Sequence, residues 1–371
     1  MNKLLPPVAL VAPVALVAPV ALVAPVAAVA PVIYALGFSW RKRSLVRQFL
    51  GAAEVRFVRK PAQVPDGASA AVWASGPFGK PAPGDASGDR FKRLLMEDGF
   101  LRSVGLGADL VRPLSWVIDS LGIYYDASRP SDLEQLLQTG IFETPILHRA
   151  AALREQLVRT GLTKYNVGAL PWRRPARAAG RKVVLVPGQV ETDAAIRLGA
   201  PGITTNMALL QAARKAEPDA WLIYKPHPDV VAGLRNAGAL ESLAAQSCDE
   251  IVSDVPMGTL LDAVDAVHVL TSLAGFEALL RGRQVVCHGL PFYAGWGLTQ
   301  DVLRVNRRSR VLSLDELVAG VLLQYPTYVS RATGSICSAE QALNELLNWR
   351  ASAGNALPFW RRMLRPLLKH D

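Results

Sequence analysis

The chain has 371 residues, half of them apolar and about a fifth charged, with a formal net charge of +10. That length and balance describe a globular protein large enough for two α/β domains, and they exclude a disordered chain or a small cross-linked scaffold. The three cysteines, Cys248, Cys287 and Cys337, have neither metal-ligand spacing nor the density of a disulfide framework, so a reducing compartment is expected; five scattered histidines indicate no metal.

Residues 1–31 form a low-complexity leader close to a P-V-A-L-V-A repeat, with prolines at 7, 13, 19, 25 and 31. Hydropathy over 4–38, followed by Arg41-Lys42-Arg43, has the pattern of a membrane span. A proline every sixth residue removes helix hydrogen bonds that lipid cannot replace, so the segment reads as a non-catalytic, membrane-touching leader. Residues 32–38 then predict a first strand, and Ser39 caps a basic amphipathic helix through Leu50. Strands over 55–58, 70–74 and 93–96 alternate with helical stretches, which points to a mostly parallel sheet. Residues 75–90 are a Gly/Pro/Ala-rich loop, and 131–160 hold helices. A Pro/Arg-rich linker at 166–181 separates this N-terminal α/β domain (32–165) from a second one (182–349). A basic tail follows at 350–371.

The second domain opens with the apolar run 182–188, whose Pro187-Gly188 leads into a loop carrying Gln189, Glu191 and Asp193. A further apolar run, Ala220–Tyr224, ends in Lys225-Pro226-His227-Pro228. Each proline holds the residue before it extended, so Lys225 and His227 are aimed from a strand end with little freedom. Residues 266–270 repeat the strand pattern and run into Thr271-Ser272 and an apolar helix containing Glu277. That is the arrangement in which free N–H groups at a helix start meet a phosphate. In the first domain Glu97 and Asp98 end a strand, with Arg102 and Ser103 just beyond. If the two halves face each other, Glu97, Asp98, Glu191 and Asp193 converge, as chemistry at an anomeric carbon requires. Taken singly, each acidic residue is better explained as a turn cap or an arginine partner; the two clusters together favour chemistry.

Basic blocks at 41–60, 173–182 and 304–310 point to anionic partners: a nucleotide sugar, an acidic glycan or an anionic membrane surface. No aromatic-interleaved basic platform is present, so no nucleic acid is expected. Residues 358–369 mix Trp, Phe and Leu with four cations and read as an interfacial segment.

Several long segments in order, EDGFLRSVGLGADL (97–110), GIYYDASRPSDLE (122–134), KYNVG (164–168), VPGQVETDA (186–194), YKPHPDV (224–230), TSLAGFEALLRG (271–282), HGLPFYAGWGLT (288–299) and YPTY (325–328), resemble the KpsC-type capsule polysaccharide proteins, which are retaining β-Kdo transferases. The resemblance covers nearly all of 33–347 and is to a single module, closer to the C-terminal one of the tandem members. It implies two Rossmann-like domains in a GT-B-like, sialyltransferase-related arrangement. It also implies transfer of Kdo from CMP-β-Kdo to a lipid-linked, Kdo-terminated acceptor with retention, without a cofactor, through a β-(2→7) linkage. Capsule-assembly proteins would be partners and the cytoplasmic face of the inner membrane the location. By the same resemblance Asp193 is the nucleophile, and Glu97 or Asp98 the acid/base. Gln189, Glu191, Lys225, His227, Ser272 and Glu277 bind the donor, and Arg102, Ser103, Tyr293 and Trp296 are further pocket candidates. Thr192 and Ala195 depart from the family pattern around the nucleophile. Two other readings compete: a GT-B enzyme using another nucleotide sugar, and a non-catalytic assembly or glycan-binding subunit.

Overall fold

In a computed structural model the described residues are 31–51, 54–79, 90–104, 111–164 and 166–353. The leader, most of the 75–90 loop, residues 105–110 and the tail beyond 353 lie outside them. Among the described residues no helix is long and apolar enough to cross a membrane.

The short apolar runs form two sheets. The first is built from β1 (Val32–Leu36), β2 (Glu54–Val58), β3 (Ser69–Trp73), β4 (Lys92–Asp98) and β5 (Ser115–Asp119). The second holds β6 (Val183–Pro187), β7 (Trp221–Lys225), β8 (Glu250–Ile251), β9 (Ala266–Val269), β10 (Gln284–Cys287) and β11 (Gln300–Asp301). Late in the chain, β12 (Pro326–Val329) and β13 (Ile336–Cys337) return to the first sheet. Its order is β13-β12-β5-β4-β3-β1-β2. Strands β1 to β4 are parallel, whereas β5, β12 and β13 pair antiparallel.

The second sheet is parallel throughout, in the order β11-β10-β9-β6-β7-β8. This is the doubly wound dinucleotide-fold order, with its reversal between β6 and β9. Parallel strands are covered on both faces, which is why β6 and β7 are buried along their whole lengths. Helix Asn206–Ala216, capped by Thr205, covers one face by packing Leu209, Leu210 and Ala213 with Val184 and Leu222. The molecule is thus the expected α/β fold, two Rossmann-like sheets in a GT-B-like arrangement.

Two features differ from the sequence reading. Residues 326–337, assigned there to the second domain, complete the first sheet. The edge of β5 would otherwise expose unpaired backbone; β12 covers it, with Thr327 opposite Trp116, and the Tyr325 hydroxyl donates to the Asp119 carboxylate at 2.7 Å. The helix expected from Ser39 begins as a 3₁₀ turn, Trp40–Lys42, and becomes α-helical only over Arg43–Leu50; the Ser39 side chain caps nothing.

A buried charge cluster ties the lobes together. Glu134, in helix Asp132–Thr139, accepts from Arg307 and from Arg308 Nε (2.8 Å), while Arg308 also donates to the carbonyls of Pro291 and Ala294. Removing the carboxylate strands a buried guanidinium, so Glu134→Ala is expected to cost about 3–5 kcal/mol of stability. Urea unfolding checks this; a loss below about 1 kcal/mol is the range of a solvated surface pair and would sink the assignment.

Candidate active site

The C-terminal ends of β1, β3 and β4 face those of β6, β7 and β9 across a cavity of about 1020 Å³. On the second lobe the site occupies the reversal between β6 and β9, where open α/β sheets bind ligands. Gln189 holds the two strand ends together: its side chain accepts from Thr271 N and donates to Thr271 Oγ1, both at 3.0 Å. Gly188 lets the β6 loop pass against Tyr224, since a Cβ there would stand 2.6 Å from the Tyr224 hydroxyl. Ser272 caps helix Leu273–Leu280, accepting from Ala274 N at 3.2 Å, and lines the cavity.

Lys225 and His227 both reach the cavity wall. Lys225 Nζ donates to the Ser253 carbonyl at 3.0 Å; burial lowers its pKa to about 8, with Asp254 pulling the other way. His227 Nδ1 accepts from Asp229 N at 3.1 Å, so the neutral ring carries its proton on Nε2. Burial, then the positive charges of Lys164, Arg235 and Lys225, push its pKa down to about 4. His227 is therefore a neutral N–H donor within a cationic cluster. Lys164 and Arg235 also line the cavity, and the sequence reading gave neither a role. The first lay inside the quoted KYNVG segment; the second lies in a turn with no local pattern.

The carboxylates separate by environment. Asp98 accepts from Arg102 Nε at 2.6 Å and from Trp116 Nε1 at 3.2 Å, which commits it to an ion pair. Glu97 forms no salt bridge among the described residues; burial, then the adjacent Asp98 charge, push its pKa up to about 7. The Tyr125 hydroxyl donates to Glu97 Oε2 at 3.3 Å, and Asp193 is close enough for its charge to help raise the Tyr125 pKa. Tyr125 thus stands between a carboxylate of each lobe. Asp193 is exposed in the cavity wall at the start of helix Ala194–Gly199, and its side chain caps no amide.

Other candidates fall elsewhere. Glu191 accepts from Asn206 N (2.7 Å) and Ala239 N (2.8 Å) and does not line the cavity; it braces loops behind the site. Glu277 lines the cavity but accepts from Lys164 N at 2.7 Å, joining the lobes, and burial raises its pKa to about 7. Arg102 is in the cavity wall, whereas Ser103 is fully buried behind it and accepts from the guanidinium at 3.0 Å. Tyr293 and Trp296 are core residues, not pocket residues. They donate to the carbonyls of Ser272 and Phe292, because a phenol or indole N–H can be buried only with a partner.

Residues 84–160 and 146–328 match the capsule polysaccharide biosynthesis protein family. The chain belongs to that family. Capsule polysaccharide modification protein LipA of Neisseria meningitidis serogroup A is 43% identical over 320 residues, 85% of this chain and 45% of LipA. The lipopolysaccharide-processing protein LpsZ of Rhizobium meliloti is 45% identical over 254 residues, 68% of this chain and 58% of LpsZ. The chain spans about half the length of the curated relatives it matches. Two solved structures from Thermosulfurimonas dismutans share the fold over nearly their whole length. The KpsC β-Kdo 2,7 transferase is 38% identical with a TM-score of 0.71, covering 86% of this chain and 99% of that one. The KpsC β-Kdo 2,4 transferase is 37% identical with a TM-score of 0.75, covering 85% and 98%. This family member is thus similar to transferases of both linkages.

Proposed function

We propose that this chain transfers Kdo from CMP-β-Kdo to a lipid-linked, Kdo-terminated acceptor with retention, by double displacement. The observation that carries the reading is the approach of Glu97 and Asp193, one from each lobe, to Tyr125 beside a cluster of cations around the His227 N–H. In the first step an Asp193 oxygen attacks the anomeric carbon as the bond to the CMP phosphate breaks, and the phosphate leaves with the electron pair. Lys164, Lys225, Arg235 and the His227 N–H receive that charge, and the helix start at Ser272 adds its dipole. In the second step the acceptor hydroxyl attacks the same carbon, Glu97 takes its proton, and Asp193 departs. Two inversions give retention. A pKa near 7 suits Glu97 to accept that proton at neutral pH. The 2,7 linkage rests on the motif resemblance, and the basic residues favour work at the cytoplasmic membrane surface.

Purified protein incubated with CMP-Kdo and a synthetic Kdo-terminated acceptor should release CMP and extend the acceptor, with CMP-sialate and UDP-sugars failing to compete. Absence of CMP release, or preference for another donor, refutes the reading. His227→Ala should lower kcat/KM for the donor by about 2–4 kcal/mol equivalent, because a hydrogen bond to a charged phosphate oxygen is lost. Unchanged donor kinetics would reduce His227 to a structural residue.

A further inference from the structure

The cavity holds a second cationic wall that the donor chemistry does not use. It lies at the first sheet's own strand-order reversal, between β1 and β3, the position where an open α/β sheet offers its ligand crevice. Arg41 and Lys42 follow β1, Trp73 ends β3, and Arg112 precedes β5; all four line the cavity. Lys42 Nζ sits 3.7 Å from the centre of the Trp73 ring, which fixes the ammonium while leaving its donors available. Burial lowers the Lys42 pKa while Asp98 and Glu97 oppose that, so the ammonium stands within electrostatic reach of the proposed base. Arg112 donates to Gln48 at 2.9 Å, and its Nε is buried with no hydrogen-bond partner among the described residues.

The acidic residues of this wall are Glu97 and Asp98, and Asp98 is already paired with Arg102. Arg41, Lys42 and Arg112 therefore leave an excess of positive charge on the acceptor side. The opposite cluster, Lys164, Lys225, His227 and Arg235, lies on the donor side, and Glu97 stands within reach of both, since Lys164 also acts on its pKa. A neutral acceptor would need no such wall. Burying cations against a neutral sugar costs free energy, whereas a carboxylate offsets it.

We propose that Arg41, Lys42 and Arg112 form an acceptor subsite that recognises an anionic group on the acceptor's terminal residue, the carboxylate of an acidic sugar, and so set acceptor specificity. The inference rests on the transferase reading and names the residues that select its second substrate. The same cations would also suit a lipid phosphodiester, so the test uses a lipid-free, phosphate-free acceptor, offered either as the free carboxylate or as its carboxamide.

Wild-type kcat/KM should favour the carboxylate acceptor about 10- to 100-fold over the carboxamide, the range of one or two hydrogen bonds to a charged group. In Lys42→Gln and Arg112→Gln that preference should fall to within about threefold, through loss of the carboxylate acceptor alone. Arg41→Gln, which alters an exposed side chain, should narrow it without any effect on folding. Equal use of the two acceptors by the wild-type protein, or equal loss of both in the variants, overturns the proposal; equal use together with strong activation by a lipid phosphate assigns the wall to the lipid. If the wild-type protein releases no CMP at all, the transferase reading fails separately. Saturation-transfer NMR of the acidic-sugar acceptor with the unliganded protein then decides the subsite, and undiminished signal in Lys42→Gln/Arg112→Gln rejects it.

Discussion

Asp193→Ala is expected to abolish Kdo transfer while leaving the fold untouched. The side chain is exposed in the cavity wall and caps no amide, so its removal should change stability by less than about 0.5 kcal/mol. Without a nucleophile the first displacement has no route, and the rival carboxylates nearest in sequence and in the acid pair are already committed. Glu191 is held by two backbone amides behind the loop, and Asp98 by Arg102 and Trp116. A kinetic assay and a thermal melt run side by side check the pair of expectations. Intact-mass spectrometry with CMP-Kdo should detect a Kdo adduct on the wild-type chain and none on Asp193→Ala. Near-normal turnover of Asp193→Ala, or an adduct mapped to Glu191, would refute the nucleophile assignment.

Glu97→Gln should reduce transfer about 10²- to 10⁴-fold, the usual worth of a positioned base. It should also remove a limb from the pH profile. With its pKa near 7, wild-type Glu97 is an active base above that pH, so kcat/KM for the acceptor should fall about tenfold per unit below it. In Glu97→Gln the residual rate should be flat there. Stability moves the opposite way. The folded-state pKa lies above the ordinary 4.5, so the neutral carboxyl favours the fold below that value, and the benefit is lost as pH rises through about 7. The glutamine variant stays neutral and should melt at a higher temperature than wild type at pH 8, with the difference vanishing near pH 4.5. An unshifted pH profile in Glu97→Gln would transfer the role to Asp98.

How far the site was legible depended on whether a residue's role is local. Lys225 and His227 were readable because two prolines dictate the geometry of a strand end, and Ser272 because a strand-hydroxyl-helix sequence leaves few other arrangements. The choice between Glu97 and Asp98 was not readable. Arg102, four residues beyond Asp98, was a local candidate partner for either carboxylate; what the sequence could not give is that β5 pairs antiparallel with β4 and sets Trp116 opposite Asp98, so that both reach the same one. Tyr125 was hidden for the same reason, since its position between lobes exists only once the lobes are packed. Tyr293 and Trp296 misled in the other direction: a conspicuous aromatic segment is needed under the cavity, not in it. The two-sheet architecture followed from apolar runs and their spacing. The return of β12 and β13 did not, because strand order is a long-range property that no local pattern encodes.

That return has a topological consequence. The described chain enters through the first lobe at β1 and leaves through it at helix Ala339–Ala353, so the second lobe is a guest spliced into its host. Cutting after residue 181 would not yield two lobes but a host with a bare β5 edge and a remainder carrying orphaned host strands. Separating them requires excising the guest and rejoining the host across the gap. A fusion partner or tether attached at either end of the described chain would pull on the host, and the force would reach the guest through the two connections and the Glu134–Arg308 and Lys164–Glu277 contacts between the lobes.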